Sequence, residues 1–186
     1  DNIMKLKLLS TLILAAAPMM GMAHTIEIGK GLPTVNVASH GELMLQGDKI
    51  EYAEWSTAKL TGKVRVIQAI AGRSSSNKMN APLMTAITAA DFSKNAYQTT
   101  TIINQDDAMW GTGSFVKSSA EDSKKEFSWS SIVLDKDGTA AGAWELKEES
   151  SAMAVLDKEG TVLFVKEGSL TEDEIAKVIE LVKTSL

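Results

Sequence analysis

The residues best suited to chemistry fall in one polar run, Arg73-Ser74-Ser75-Ser76-Asn77-Lys78. Hydroxyls, a carboxamide and two cations at the start of a helix can accept the helix's free N–H groups. They can also bind an anion with help from the helix dipole. Ser75 and Lys78 have the Ser-x-x-Lys spacing by which a lysine one turn on serves as base for a serine nucleophile. The companion motifs of such enzymes, Ser-Asp-Asn and Lys-Thr-Gly, are absent from the chain. Two further polar pairs stand out, Asp106-Asp107 and Ser150-Ser151. The only two histidines, His24 and His40, lie near no obvious nucleophile in the sequence, which argues against a serine triad.

The elements around these residues follow from hydrophobic patterning. Val64 to Ala71 is an apolar, β-branched run of the length expected of a buried strand. After Gly72 and the polar run, Met79, Leu83, Ile87 and Ala90 fall on one helical face. This predicts a helix beginning near Asn77, with Ser75 or Ser76 as N-cap. Tyr97 to Ile103 is strongly β by composition and runs into Asn104-Gln105-Asp106-Asp107. A strand–helix–strand of this length predicts a parallel crossover, which puts Asp106 and Asp107 at the same carboxyl edge as Ser74.

Composition narrows the class. The 24 acidic and 19 basic residues give a net charge of −5 with no basic block, which excludes an electrostatic nucleic-acid footprint. With no cysteine, disulfides, thiol catalysis and thiolate metal sites are excluded. After Asp1-Asn2-Ile3, read as a remnant ahead of Met4, come Lys5 and Lys7, an apolar stretch from Leu8 to Met20, and Gly21-Met22-Ala23. That is the pattern of a cleaved secretory signal. Residues 1–23 are therefore expected to be a signal peptide and 24–186 a single domain, exported and periplasmic where the envelope has two membranes. Removal of residues 1–23 takes two lysines and one aspartate, leaving 17 basic and 23 acidic residues, net −6. His24, as a new N-terminus, could chelate copper with its own amine, but a surface role is the plainer reading.

The rest of the chain reads as short elements. Leu43 to Tyr52 forms a hairpin through Gln46-Gly47-Asp48-Lys49, and Ser118-x-x-Glu121 predicts a capped short helix ending near Phe127. Ile132-Val133-Leu134-Asp135-Lys136-Asp137-Gly138-Thr139 recurs 22 residues later as Ala154 to Thr161, two apolar strands each ending in a glycine turn. The second continues into Val162–Val165 as a hairpin. Thr171-x-x-Glu174 caps a last helix with an apolar stripe at Ile175, Val178, Ile179 and Val182.

Lys78-Met79-x-Ala81-Pro82, after a strand and a four-residue loop, resembles the segment that follows the redox motif of thioredoxins. In that register Ser74 and Asn77 occupy the two cysteine positions of Cys-x-x-Cys, and Ser151 or Ala152 the cis-proline. The stretches GKVRVIQ-IAGR, YQTTTI-N-DDA, FV-SS, ESSA, VLDK-G and GELML are similar to those of the YtfJ family of Gram-negative periplasmic proteins. The resemblance implies an α/β, thioredoxin-like three-layer sandwich with a mixed central sheet and an N-terminal β-hairpin extension. Serine cannot replace a thiol whose pKa a helix N-terminus lowers, so no thiol–disulfide exchange is expected. The expected function is a binding or adaptor module without catalytic residues or cofactor. Its face comprises Arg73, Ser74, Ser75, Ser76, Asn77, Ser150, Ser151, Asp106 and Asp107, and its partner is a periplasmic protein, a peptide or a small anion. The alternative is an enzyme with cysteine-independent chemistry, through Ser75 with Lys78 or the carboxylates of Asp106 and Asp107.

Overall fold

The computed structural model describes residues 24–186. The expected signal peptide lies outside them. Seven strands form one mixed sheet: β1 (Asn36–Gln46), β2 (Lys49–Ser56), β3 (Val64–Ala71), β4 (Tyr97–Asn104), β5 (Ser131–Asp135), β6 (Ser151–Leu156) and β7 (Val162–Glu167). Their spatial order is β2-β1-β5-β4-β3-β6-β7. β3, β4 and β5 run parallel, and the inner strand of each flanking hairpin, β1 or β6, pairs antiparallel with β5 or β3.

β3 is buried along its whole length, which explains its nearly unbroken apolar sequence. Its even-numbered residues Val64 and Val66 pack with Leu83, Ile87, Met153, Val155, Val178 and Val182 under α1 (Ser74–Met79), α2 (Ala81–Ala90) and α5 (Glu172–Ser185). Leu43, Ile132 and Leu134 continue this layer beneath α3 (Gly113–Glu126), where Ala120 is buried. Odd-numbered Ile67 and Ala69 face the other way, with Ile102, Val133, Ala152 and Ala154. There α4 (Thr139–Ala143) contributes Ala140, its C-cap Trp144 is buried, and Ile26, Val35 and Trp55 complete a thinner third layer. Each fully buried valine or leucine in these layers contributes roughly 1.5–3 kcal/mol of transfer free energy.

The N-terminal hairpin turns over at Gly47-Asp48 and extends the main sheet at one edge, as expected. Its bond to the sheet is short: only His40, Gly41 and Glu42 pair with β5, against Asp135, Leu134 and Val133. A bulge between Val37 and Glu42 sets this register. There His40 has φ 63° and Gly41 φ 96°, and a Cβ at Gly41 would lie 2.2 Å from the Ala53 carbonyl oxygen. Only glycine fits.

α5 starts as expected. The Thr171 hydroxyl accepts the Glu174 N–H at 3.2 Å, while the Glu174 carboxylate accepts the Thr171 N–H at 2.9 Å and an ion pair from Lys166. Two helix starts differ from expectation. α3 begins at Gly113, five residues before Ser118, so Ser118-x-x-Glu121 lies within the helix. The helix after β3 begins at Ser74, not near Asn77, with Arg73 as its N-cap. None of the three serines caps it.

Candidate functional site

β3 ends at Ala71, and Gly72 lets the chain pass close under the next strand. A Cβ there would sit 3.0 Å from the Asn104 carbonyl oxygen and 3.2 Å from Val116 Cγ1. Arg73 then takes an extended conformation and turns its side chain across the strand ends. Its Nε donates to the Asp107 carbonyl and to Asp107 Oδ1, both at 3.2 Å, and its Nη2 lies 3.1 Å from Glu149 Oε1. Asp107 Oδ2 in turn accepts the Glu149 N–H at 2.6 Å. Glu149 holds a left-handed φ of 54° to make both contacts. Arg73, Asp107 and Glu149 thus close a charge-assisted ring that ties together the end of β3, the short 3₁₀ turn after β4 and the approach to β6.

Beside the ring opens a cleft of about 440 Å³. Its apolar lining includes Ala69, Ile102, Ala140 and Ala152; its rim carries Arg73 and Lys147 against Asp106, Asp107, Asp135, Glu148 and Glu149. Five carboxylates face two cations. Asp135 is buried and committed to structure, its two oxygens accepting the N–H groups of Thr139 at 3.0 Å and Ala140 at 2.8 Å at the start of α4. Gly138 precedes that helix with φ 66°, and a Cβ there would come within 2.8 Å of Asn104 Oδ1. Asn104 itself accepts the Asp107 N–H at 3.2 Å, which fixes the turn that carries Asp106 and Asp107.

The residues singled out from sequence divide into groups. Arg73, Asp106, Asp107, Ser150 and Ser151 all line the cleft. Ser74, Ser75 and Asn77 lie on exposed positions of α1, whereas Ser76 is fully buried with its hydroxyl unpartnered. No hydrogen bond joins Ser75 to Lys78, so the serine lacks the contact that would activate it. Ser151 directs its hydroxyl away from the cleft: it accepts a 2.6 Å bond from Asn80 Nδ2. Asn80 also donates to Gln68 Oε1 at 3.1 Å, and Gln68 Nε2 donates to Thr101 at 2.7 Å. This buried chain of amides and hydroxyls sits under the loop and pins the break between α1 and α2. His24 Nδ1 accepts the Ile26 N–H at 3.2 Å. Among the described residues, no group of three His, Cys, Asp or Glu side chains is placed to hold a metal ion.

Sequence reasoning missed Asn80, Glu149 and the role of Asn104. Gln68, which with Arg65 interrupts the apolar run of β3, was the visible sign of a buried partner; Glu149 carries no such sign.

The profile of the family described as "Bacterial protein of unknown function (YtfJ_HI0045)" matches residues 26–185. The chain belongs to the YtfJ family. It is 46% identical over 183 residues to "Uncharacterized protein YtfJ" of Escherichia coli (strain K12), covering 98% of this chain and 100% of that one. It is 44% identical over 160 residues to an "Uncharacterized protein" of Haemophilus influenzae, covering 86% and 87%. Among solved structures it is similar to that of a putative protein disulfide isomerase from Bacteroides thetaiotaomicron. The TM-score there is 0.59 at 16% identity, covering 88% of this chain and 92% of the other. That likeness shows the thioredoxin-like fold. In this YtfJ-family chain, the redox register places Ser74 and Asn77 on the exposed first turn of α1. The peptide bonds before Ser151 and Ala152 are trans.

Proposed function

We propose that this YtfJ-family chain is an exported, periplasmic binding or adaptor module that uses the carboxyl edge of its sheet without redox chemistry. The observation that carries this reading is the cleft itself. An apolar floor and a charged rim, held open by the Arg73–Asp107–Glu149 ring, lie beside the loop where a thioredoxin would carry its cysteines. Such a mixture of apolar surface and a few fixed polar groups is the usual make-up of a ligand site. The binding face comprises Arg73, Asp106, Asp107, Ser150 and Ser151, with Glu149 added to it; the exposed Ser74, Ser75 and Asn77 extend it along α1, and the fully buried Ser76 lies outside it. The rim argues against a small anion, because Arg73 is already paired with two acids. Export is supported by the lysines, apolar run and Gly21-Met22-Ala23 at the N-terminus. No helix among the described residues is long and apolar enough to cross a membrane.

The test uses a photo-crosslinking amino acid at Lys147, on the rim, in the exported protein within cells. Discrete adducts are expected, and Ala141→Trp, which fills the cleft mouth from α4, should remove them. A change outside the site, Glu180→Gln, should leave them intact. An adduct pattern unaffected by Ala141→Trp would overturn the reading.

A further inference from the structure

Three large apolar side chains stand in water within seven residues: Met109 is 63% exposed, Trp110 100% and Phe115 74%. Bare aromatic surface of this kind marks an interaction site when something holds it in place. Here something does. The Thr112 N–H donates to the Met109 carbonyl at 3.0 Å, its hydroxyl to the same oxygen at 2.6 Å, and Gly111 has φ 78°. These define a tight turn with Trp110 at its first corner and a glycine at the second, where a left-handed residue is required. Gln105 Nε2 ties the far side of the loop down through the Gly113 carbonyl at 2.8 Å. The loop's base is equally fixed, since Ala108 and Val116 close over Gly72.

The turn also leaves directly from the cleft. Asp107 lines the cleft and belongs to the Arg73 ring, and three residues span at most about 11 Å, so Trp110 stands close to the acidic rim. We propose that Met109, Trp110 and Phe115 form, with the cleft rim, one docking surface for an extended basic segment of a partner protein that carries apolar side chains. This deepens the binding-module reading and rests on it.

The charges choose the occupant. Of the rim's acids, Asp106, Glu148 and Glu149 are exposed, and only Glu149 is paired; Arg73 is consumed by its ring, which leaves the exposed Lys147 as the one rim cation against the unpaired Asp106 and Glu148. A lysine- or arginine-bearing segment is therefore attracted and an acidic one repelled. A second copy of this chain, at net charge −5, meets like charge. An anionic lipid surface is disfavoured for the same reason, since membranes recruit basic patches rather than acidic ones. The aromatic turn supplies the apolar anchor, as aromatic residues do at interface hot spots.

The experiment titrates the mature protein with three defined eight-residue probes: alternating Lys-Leu, alternating Glu-Leu and a Gly-Ser control. Vesicles of phosphatidylglycerol with phosphatidylethanolamine form a fourth arm. Tryptophan emission is read, with Trp110→Phe subtracted to isolate Trp110, and amide spectra are followed in parallel. The Lys-Leu probe should produce a saturable blue shift of Trp110 that weakens with added salt. Asp106→Asn and Glu148→Gln should each weaken it about two- to fivefold, and the Glu-Leu and Gly-Ser probes should do nothing. Equal response to the Lys-Leu and Glu-Leu probes, or a response to vesicles alone, would overturn the proposal. Amide shifts at Ser150 to Ala152 that Ala141→Trp abolishes, with Trp110 silent, would refute the docking surface while leaving the cleft reading standing.

Discussion

Asn80 offers the sharpest test of how the loop is held. It is 1% exposed and donates to Gln68 Oε1 and Ser151 Oγ, bridging β3, β6 and the break between α1 and α2. Asn80→Ala removes the bond to Ser151 Oγ, at about 1 kcal/mol, and leaves Gln68 Oε1 buried without a donor, at about 1–3 kcal/mol. The change also removes Asn80 Oδ1, itself buried and unpartnered, which returns on the order of 1 kcal/mol. The balance is a loss of about 1–3 kcal/mol, or a fall in Tm of roughly 2–12 °C for a domain of this size. Urea unfolding followed by circular dichroism measures it, with the m-value unchanged if the native state stays compact. Ser151→Ala removes the partner of one of the two bonds, so the double variant should be less destabilised than the sum of the singles by at least about 0.5 kcal/mol. A loss under about 0.5 kcal/mol for Asn80→Ala, or strict additivity with Ser151→Ala, would refute the bridging role.

Three other outcomes are expected. The Tyr52 hydroxyl donates to Glu121 at 2.7 Å and this bond, ahead of Lys117, holds the Glu121 carboxyl below its usual range. A lowered folded pKa stabilises above the unfolded value and is lost as pH falls through the folded one. The stability gap between the parent and Tyr52→Phe should therefore be present at pH 7 and shrink on acidification below about pH 4, as read by thermal melts. Gly41→Ala should cost about 3 kcal/mol or more, from left-handed strain added to a 2.2 Å approach to the Ala53 carbonyl, with a lower urea midpoint as the readout. Ser74→Cys with Asn77→Cys should yield an intramolecular disulfide on oxidation, since three residues along a helix bring Cα atoms to about 5 Å. Mass spectrometry with and without reductant decides this; two free thiols under oxidant would contradict the helix starting at Ser74.

The legible parts of this fold were those written in side-chain periodicity. β3 and β4 were read from continuous β-branched runs, the outer hairpins from their turns, and α5 from Thr171 and Glu174, because each depends on neighbours in sequence. The parallel crossover that sets Asp106 and Asp107 at the same carboxyl edge as Ser74 also followed, from its length, but the Arg73–Asp107 pair did not. What escaped was long-range. A serine run looks like a cap, but Arg73 already has the extended backbone that starts the helix, so Ser76 becomes its third residue. Ser118 and Glu121 have capping spacing, yet Thr112 and Gly113 begin α3 a turn and a half earlier, where the exposed Trp110 turn ends. Glu149 gains its role only when it meets Asp107, 42 residues away, and the Asn104 carbonyl takes the N–H of Gly72, 32 residues back; no local pattern encodes either contact.

The three-residue contact between β1 and β5 has a kinetic meaning. Every other adjoining pair of strands is matched over five residues or more, so the hairpin's seam holds the fewest rungs in the sheet. Local opening begins where the fewest bonds must break together, so amide exchange at His40 to Glu42 should outpace that of β3. Each such opening uncovers the outer edge of β5, Val133 to Asp135, as a vacant strand template. The bulge at Gly41 works against that exposure, because its kink limits how a foreign strand could lie flat in the hairpin's place. The seam is thus the point at which the molecule breathes, and the same distortion that makes it short also guards it.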